Sequence, residues 1–191
     1  MKGKLYGLGG RYGSGKDVVA NFLKFQFGFK TVGFSDAINE MMTTLDPYVM
    51  MDSTHKELIR YSTVVKAKGY VKAKEEPEVR RLLQVFGTEV GRRQIHEELW
   101  VDLMAEKVTK LTERGFNVAI TGVRYSNELD MVHRLGGTSI WTSRPGFEET
   151  GTHASEVSLS EDMFEHSLIN DGDISHLEHK VGLFMLEESG A

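Results

Sequence analysis

The stretch Leu5-Tyr6-Gly7-Leu8-Gly9-Gly10-Arg11-Tyr12-Gly13-Ser14-Gly15-Lys16-Asp17 decides the fold of this chain. Leu5 to Leu8 read as a short buried strand and the glycines as a turn. Val18, Val19, Phe22 and Leu23 form the inward face of a following helix. Strand, glycine-rich turn, lysine and amphipathic helix in that order make a phosphate-binding loop. Glycines lack Cβ, so the backbone can curl and aim several N–H groups at one phosphate. The helix start adds the positive end of its dipole, and Lys16 adds a full charge. A nucleoside phosphate is therefore expected on Gly13, Ser14, Gly15 and Lys16. One position departs from the usual Gly-Lys-Ser/Thr: Asp17 follows Lys16, and Val18 follows that. The Asp17 carboxylate is expected to hold a magnesium ion through water or to act on the acceptor phosphate. The plain alternative is a glycine turn with no ligand, and four concordant signals weigh against it.

Composition bounds the rest. With 191 residues, 40 % of them hydrophobic, the chain can bury one good core and a further subdomain, while two full domains would be a squeeze. A formal charge of −5 argues against broad nucleic-acid binding. The absence of cysteine excludes disulfides, thiolate metal sites and thiol nucleophiles. The short lead-in to the first strand is read as leaving no room for a signal peptide. No apolar run approaches the ~20 residues of a membrane helix. The expectation is a cytoplasmic protein.

Strand-like and helix-like runs alternate, which predicts a parallel α/β sheet. Strands are expected at 29–34, 116–123, 138–142 and around Leu168-Ile169. Ser35 and Ser126 are read as helix caps, and Ser175 with Glu178 as a capping box for the last helix. Pro77 opens a helix that Gly87 is expected to close, and a further helix is expected over 97–113. The stretch 43–76 is polar and poorly periodic, and its lysines are most simply a solvated face.

Phosphoryl transfer needs positive charge around the moving group, a metal, two bound substrates and exclusion of water. Arg124 follows the apolar run ending at Val123, at the edge where open α/β sheets collect ligands. Arg144 leaves the next strand the same way, in a loop with Pro145 and Gly146 that reads equally as a lid and as an ordinary surface loop. Arg92 and Arg93 suit a phosphate and Gln84 the edge of a base, although each arginine is as readily a solvated surface residue. Trp100 is more readily core than base platform. His153, Ser155 and Glu156 form a weak hydrolase signal, since adjacency in sequence is not triad geometry.

Several stretches in order carry a family resemblance: Gly13 to Asp17, Phe34-Ser35-Asp36, Leu82-Leu83-Gln84 through Gly87-Thr88-Glu89 to Arg92, and Trp100-Val101. Val123-Arg124-Tyr125-Ser126-Asn127-Glu128, His153 to Glu156 and Ile169-Asn170-Asp171-Gly172 follow. Together they resemble the phage-type deoxynucleoside monophosphate kinases, P-loop kinases similar to dephospho-coenzyme A kinase and the adenylate kinases. The resemblance implies a three-layer P-loop kinase fold formed by one domain over 1–191. That domain would carry a helical monophosphate-binding subdomain over 36–100 and a lid over 143–166. It implies transfer of the ATP γ-phosphoryl to a deoxynucleoside 5′-monophosphate with magnesium. Lys16, Asp17, Arg124 and Arg144 would be catalytic, and Asp17 would be the metal residue. Gly13, Ser14, Gly15, Lys16, Asn170 and Asp171 would bind ATP. Arg11, Asp36, Gln84, Arg92, Trp100, Arg124 and Asn127 would bind the monophosphate. The expected partners are these nucleotides, with no nucleic acid or membrane, and a homodimer is compatible with the reading.

Two residues depart from the family pattern. Gly122 stands where an aspartate usually precedes Val-Arg, and Val18 where a hydroxyl residue usually follows Lys-Asp. Both remove oxygen from the metal side, so reduced metal affinity or turnover is expected. The competing readings are a kinase of another small acceptor, such as dephospho-coenzyme A, and a non-catalytic nucleotide-binding protein.

Overall fold

A computed structural model describes residues 2–52, 57–146, 158–188 and 190. The chain divides into two compact units, one of Met1–Phe34 with Met104–Ala191 and one of Ser35–Leu103. In chain order the elements are β1 (Leu5–Gly10), α1 (Lys16–Phe27), β2 (Lys30–Gly33), α2 (Phe34–Leu45), β3 (Tyr48–Asp52), β4 (Glu57–Arg60), α3 (Tyr61–Lys68) and α4 (Tyr70–Ala73). They continue with α5 (Pro77–Gln84), α6 (Leu99–Glu113), β5 (Val118–Val123), α7 (Ser126–Arg134), β6 (Thr138–Ser143), β7 (His166–Ile169) and α8 (Ile174–Glu187).

The first unit is built on a five-stranded sheet in the order β2-β5-β1-β6-β7, and every pairing in it is parallel. The expected parallel α/β architecture is thus present. Side chains alternate across β1, so Tyr6 and Leu8 face one side and Gly7 and Gly9 the other. On the first side α1 and α8 close a core of Tyr6, Leu8, Val19, Leu23, Phe29, Ile140, Leu177 and Val181. On the second, a Cβ at Gly7 would lie 2.7 Å from Val132 of α7, so glycine lets that helix come close. Gly9 is covered in the same way by Phe164, whose ring packs 5.1 Å from that of Trp141.

The second unit has its own core, with Met42, Val49, Tyr61, Val64, Ala73, Val79 and Leu83. It is not wholly helical. β3 and β4 form an antiparallel hairpin inside the stretch read as poorly periodic. Its inward residues Val49 and Ile59 pair, while Tyr48, Met50 and Leu58 are exposed.

Several helix ends differ from expectation. Gly87 does not end the Pro77 helix, which continues as a wider, π-type coil over Val85–Ile95. Val79 and Leu83 of α5 and Gly87 and Gly91 of the coil are all buried. A Cβ on Gly91 would stand 2.4 Å from the Trp100 ring, so the coil needs glycine there. Ser35 and Ser126 lie inside their helices. The cap of α8 is Asp173, whose carboxylate accepts the His176 N–H at 2.8 Å, because the helix starts one residue before Ser175.

Candidate active site

The loop after β1 is shaped by left-handed glycines, Gly10 at φ 136°, Gly13 at 75° and Gly15 at 106°. Gly15 is the cap of α1 and brings no side-chain oxygen, so the first N–H groups of the helix are not occupied by a capping side chain. The Arg11 carbonyl ties the loop together, accepting the Ser14 N–H at 3.2 Å and the Lys16 ammonium at 3.0 Å. Asp17 is exposed in the first turn of α1, where the helix dipole favours a carboxylate. Val18 packs on the apolar core, which is why that position presents no oxygen.

Gly10, Arg11, Tyr12 and Lys16 line a concavity with Val123, Arg124, Trp141 and Leu159. These residues gather at the carboxyl ends of β1, β5 and β6, where parallel sheets bind ligands. Arg124 is set there by its backbone. Its N–H donates to Glu128 Oε2 at 2.8 Å, and its carbonyl accepts from the Ser158 hydroxyl. Glu128 is 3 % exposed, a carboxylate kept inside by the N–H groups of Arg124 and Tyr125 at the start of α7. Asn127 is half-buried in the same first turn. The sequence marks Glu128 only as the end of a resembling stretch, with no role, and does not mark Trp141. Trp141 carried a usable signal, since it sits near the carboxyl end of a strand beside the loop strand.

Gly122 is explained by the backbone. Leu8 pairs with Thr121 and Gly9 with Val123, so Gly122 is the extra residue of a bulge, at φ 74°. The bulge redirects the chain just before Arg124. A Cβ at 122 would meet nothing within 4 Å, so the left-handed backbone, and not crowding, is what favours glycine.

At the other side of the loop, Asn170 is 8 % exposed and donates through Nδ2 to the Ser14 carbonyl at 3.0 Å. Asp171 is exposed and bonded to Lys180 at 2.7 Å, with His176 at 3.5 Å; the Lys180 ammonium holds its carboxyl below the usual range. Arg144 is exposed directly after β6. His153, Ser155 and Glu156 lie outside the described residues, as does much of the stretch read as a lid.

In the second unit, Asp36 is half-buried in the first turn of α2 and Gln84 is exposed at the end of α5. Arg92 is half-buried and reaches the Glu97 carbonyl at 3.4 Å, while Arg93 is paired with Glu89 at 2.6 Å. Trp100 is 3 % exposed, with its indole N–H on the Gly87 carbonyl at 2.7 Å and Phe86 beside it. Its visible contacts shape the π-type coil.

Among the described residues no cluster of three or more histidine or acidic side chains could hold a metal ion alone. A magnesium ion takes one or two carboxylates plus substrate phosphates and water, and Asp17 beside the loop fits that donor set. No described helix is long and apolar enough to cross a membrane.

In solved structures, similar folds include dephospho-CoA kinase from Campylobacter jejuni, with TM-score 0.51, 10 % identity and 96 % of each chain covered. TT1252 from Thermus thermophilus gives TM-score 0.52 and 16 % identity over 98 % of each chain. At such identities the likeness is one of fold. In sequence, the chain is 30 % identical to ORF77, an uncharacterized protein of Ictalurid herpesvirus 1, over 96 % of this chain and 71 % of that protein. It is 27 % identical to the deoxynucleotide monophosphate kinase of Enterobacteria phage T4, over 69 % of this chain and 56 % of that enzyme. The deoxynucleoside-5′-monophosphate kinase of Escherichia phage T5 is 30 % identical over 53 % of this chain and 43 % of that enzyme. The aligned region thus spans about half of each phage enzyme. The family model described as deoxynucleotide monophosphate kinase matches residues 33–181, most of the chain, and the chain belongs to that family of phosphotransferases.

Proposed function

We propose that this chain transfers the γ-phosphoryl group of ATP to a deoxynucleoside 5′-monophosphate, giving ADP and the deoxynucleoside diphosphate. The observation that carries the reading is the concavity where Lys16, Arg11 and Arg124 converge beside the glycine loop at the carboxyl edge of the sheet. An oxygen of the acceptor phosphate attacks the γ-phosphorus, the bond to the β–γ bridging oxygen breaks, and that oxygen leaves with ADP. Such a transfer asks the protein for positioning and charge more than for covalent chemistry.

Loop N–H groups and Lys16 hold the phosphates of ATP, with Lys16 moving from the Arg11 carbonyl onto them. Arg124 neutralises charge at the transferring group from a backbone fixed by Glu128. Arg144 approaches from the loop after β6 and excludes water. Asp36, Gln84, Arg92 and Asn127 are assigned to the acceptor: the guanidinium suits its phosphate and the amide its base edge. Asp17 would hold magnesium, which when bound offsets charge on the β- and γ-phosphates. The bulged Gly122 adds no carboxylate there, so dependence on magnesium is expected to be steep. The reading is that of a cytoplasmic enzyme, working in the host cytoplasm if the chain is phage-encoded.

Incubation with ATP, magnesium and a deoxynucleoside monophosphate, followed by phosphorus NMR, tests the reaction. Matched appearance of ADP and deoxynucleoside diphosphate is expected. ADP and free phosphate without diphosphate would mean simple ATP hydrolysis and would overturn the assignment.

A further inference from the structure

Asn170 occupies a place that no nucleotide contact is needed to explain. It follows β7 and is almost fully buried, and its backbone and its side chain bond to two different parts of the site. Its backbone N–H donates to the Ser143 carbonyl at 2.7 Å, at the last residue of β6 and one residue before Arg144. Its side-chain nitrogen donates to the Ser14 carbonyl at 3.0 Å, two residues before Lys16. A carbonyl can only accept, so the amide nitrogen must be the atom that faces it.

The loop has few other holds at this point. The Ser14 N–H bonds within the loop, to Arg11, and the buried Ser14 hydroxyl has no hydrogen-bond partner among the described residues. Gly15 is fitted against the same side chain. A Cβ there would lie 2.7 Å from Asn170 Nδ2 and 2.9 Å from Leu177, so the loop and the amide are shaped to each other.

We propose that Asn170 is a positioning residue, a bracket that fixes the phosphate loop to the root of the Arg144 loop and so sets Lys16 and Arg144 in a common frame. This rests on the kinase reading for its effect on turnover, but not for its effect on ATP. Displacement of a positioned charge by about 1 Å is worth as much as 100-fold in rate.

Asn170→Asp keeps the size of the side chain and replaces the donor with an oxygen that repels the Ser14 carbonyl. The experiment compares it with the wild type for ATP affinity by calorimetry, for kcat, for the acceptor KM and for thermal midpoint. ATP affinity and kcat are expected to fall by about tenfold or more, with the acceptor KM within about twofold of the wild-type value and the midpoint lowered only by what the loss of one buried hydrogen bond accounts for. Asn170→Ser, whose hydroxyl is too short to reach Ser14, should do the same, and carries the test should the aspartate variant fold poorly. Wild-type-like ATP affinity and kcat in a folded variant would overturn the proposal. So would a loss of kcat that merely tracks the loss of thermal midpoint. ATP affinity requires no acceptor. If the wild type phosphorylates no deoxynucleotide, the kinase reading fails while the bracket is still decided by calorimetry.

Discussion

Glu128 holds the backbone of Arg124 without itself lining the concavity. Its buried carboxylate accepts the N–H of Arg124, and without it two donors at the start of α7 lose their acceptor. Glu128→Ala is expected to lower unfolding stability by about 1–3 kcal/mol, the penalty for buried polar groups left unpaired. It should also lower kcat/KM, because the backbone of Arg124 then keeps its Ser158 contact but loses the hold on its N–H. Denaturant titration and steady-state kinetics check the two effects. Gly122 gives a prediction of opposite sign for function. Gly122→Asp should cost about 1–2 kcal/mol for its left-handed backbone, yet relax the dependence of turnover on magnesium by adding a carboxylate. An unchanged magnesium dependence would indicate that Asp17 already meets the metal's need. Lys16 and Arg124 were legible because their positions are set by the order of strand, loop and strand. The supports, Glu128 and the amide of Asn170 on Ser14, were not, since which carbonyl or N–H a side chain reaches depends on packing over long sequence separations.

At the scale of elements, β1 and β5 were readable as apolar runs with glycine, and the other parallel strands from the alternation of strand-like with helix-like stretches. The β3–β4 hairpin was not, and its outward residues explain why. Tyr48, Met50 and Leu58 are apolar yet exposed, so the alternation that marks a half-buried strand is absent. The helix end expected at Gly87 failed for another reason. Glycine there serves close packing, with Ile38 3.0 Å from the place of a Cβ, rather than a stop. Gly91→Ala should therefore destabilise the second unit by about 1–3 kcal/mol through overpacking against Trp100, read as a lower thermal midpoint. Asp46 secures the hairpin by accepting the Ser62 N–H at 2.8 Å, which lowers its carboxyl below the ordinary value. A lowered folded pKa means the contribution is complete above the ordinary carboxylate value of about 3.9 and is lost as pH falls through the lower folded one. Asp46→Asn should thus be less stable than wild type at neutral pH, with the gap closing below about pH 4 in thermal melts across that range.

At the scale of the whole molecule, the family match over residues 33–181 and the glycine loop before it are independent signs of one chemistry. The first comes from the body of the chain and the second from a strand, a turn and a lysine at its start. The family description names a deoxynucleotide monophosphate as acceptor, while Gln84 and Arg92 by their chemistry would serve several base-bearing phosphates. A direct comparison of acceptors is therefore the decisive measurement. It would record ADP release with ATP and magnesium for the four deoxynucleoside monophosphates, the matching ribonucleotides and dephospho-coenzyme A, with wild type and Lys16→Ala side by side. The highest kcat/KM is expected with one or more deoxynucleoside monophosphates, and loss of that activity by at least about 100-fold in the variant. Release with dephospho-coenzyme A alone, or with no acceptor while ATP still binds, would contradict that expectation.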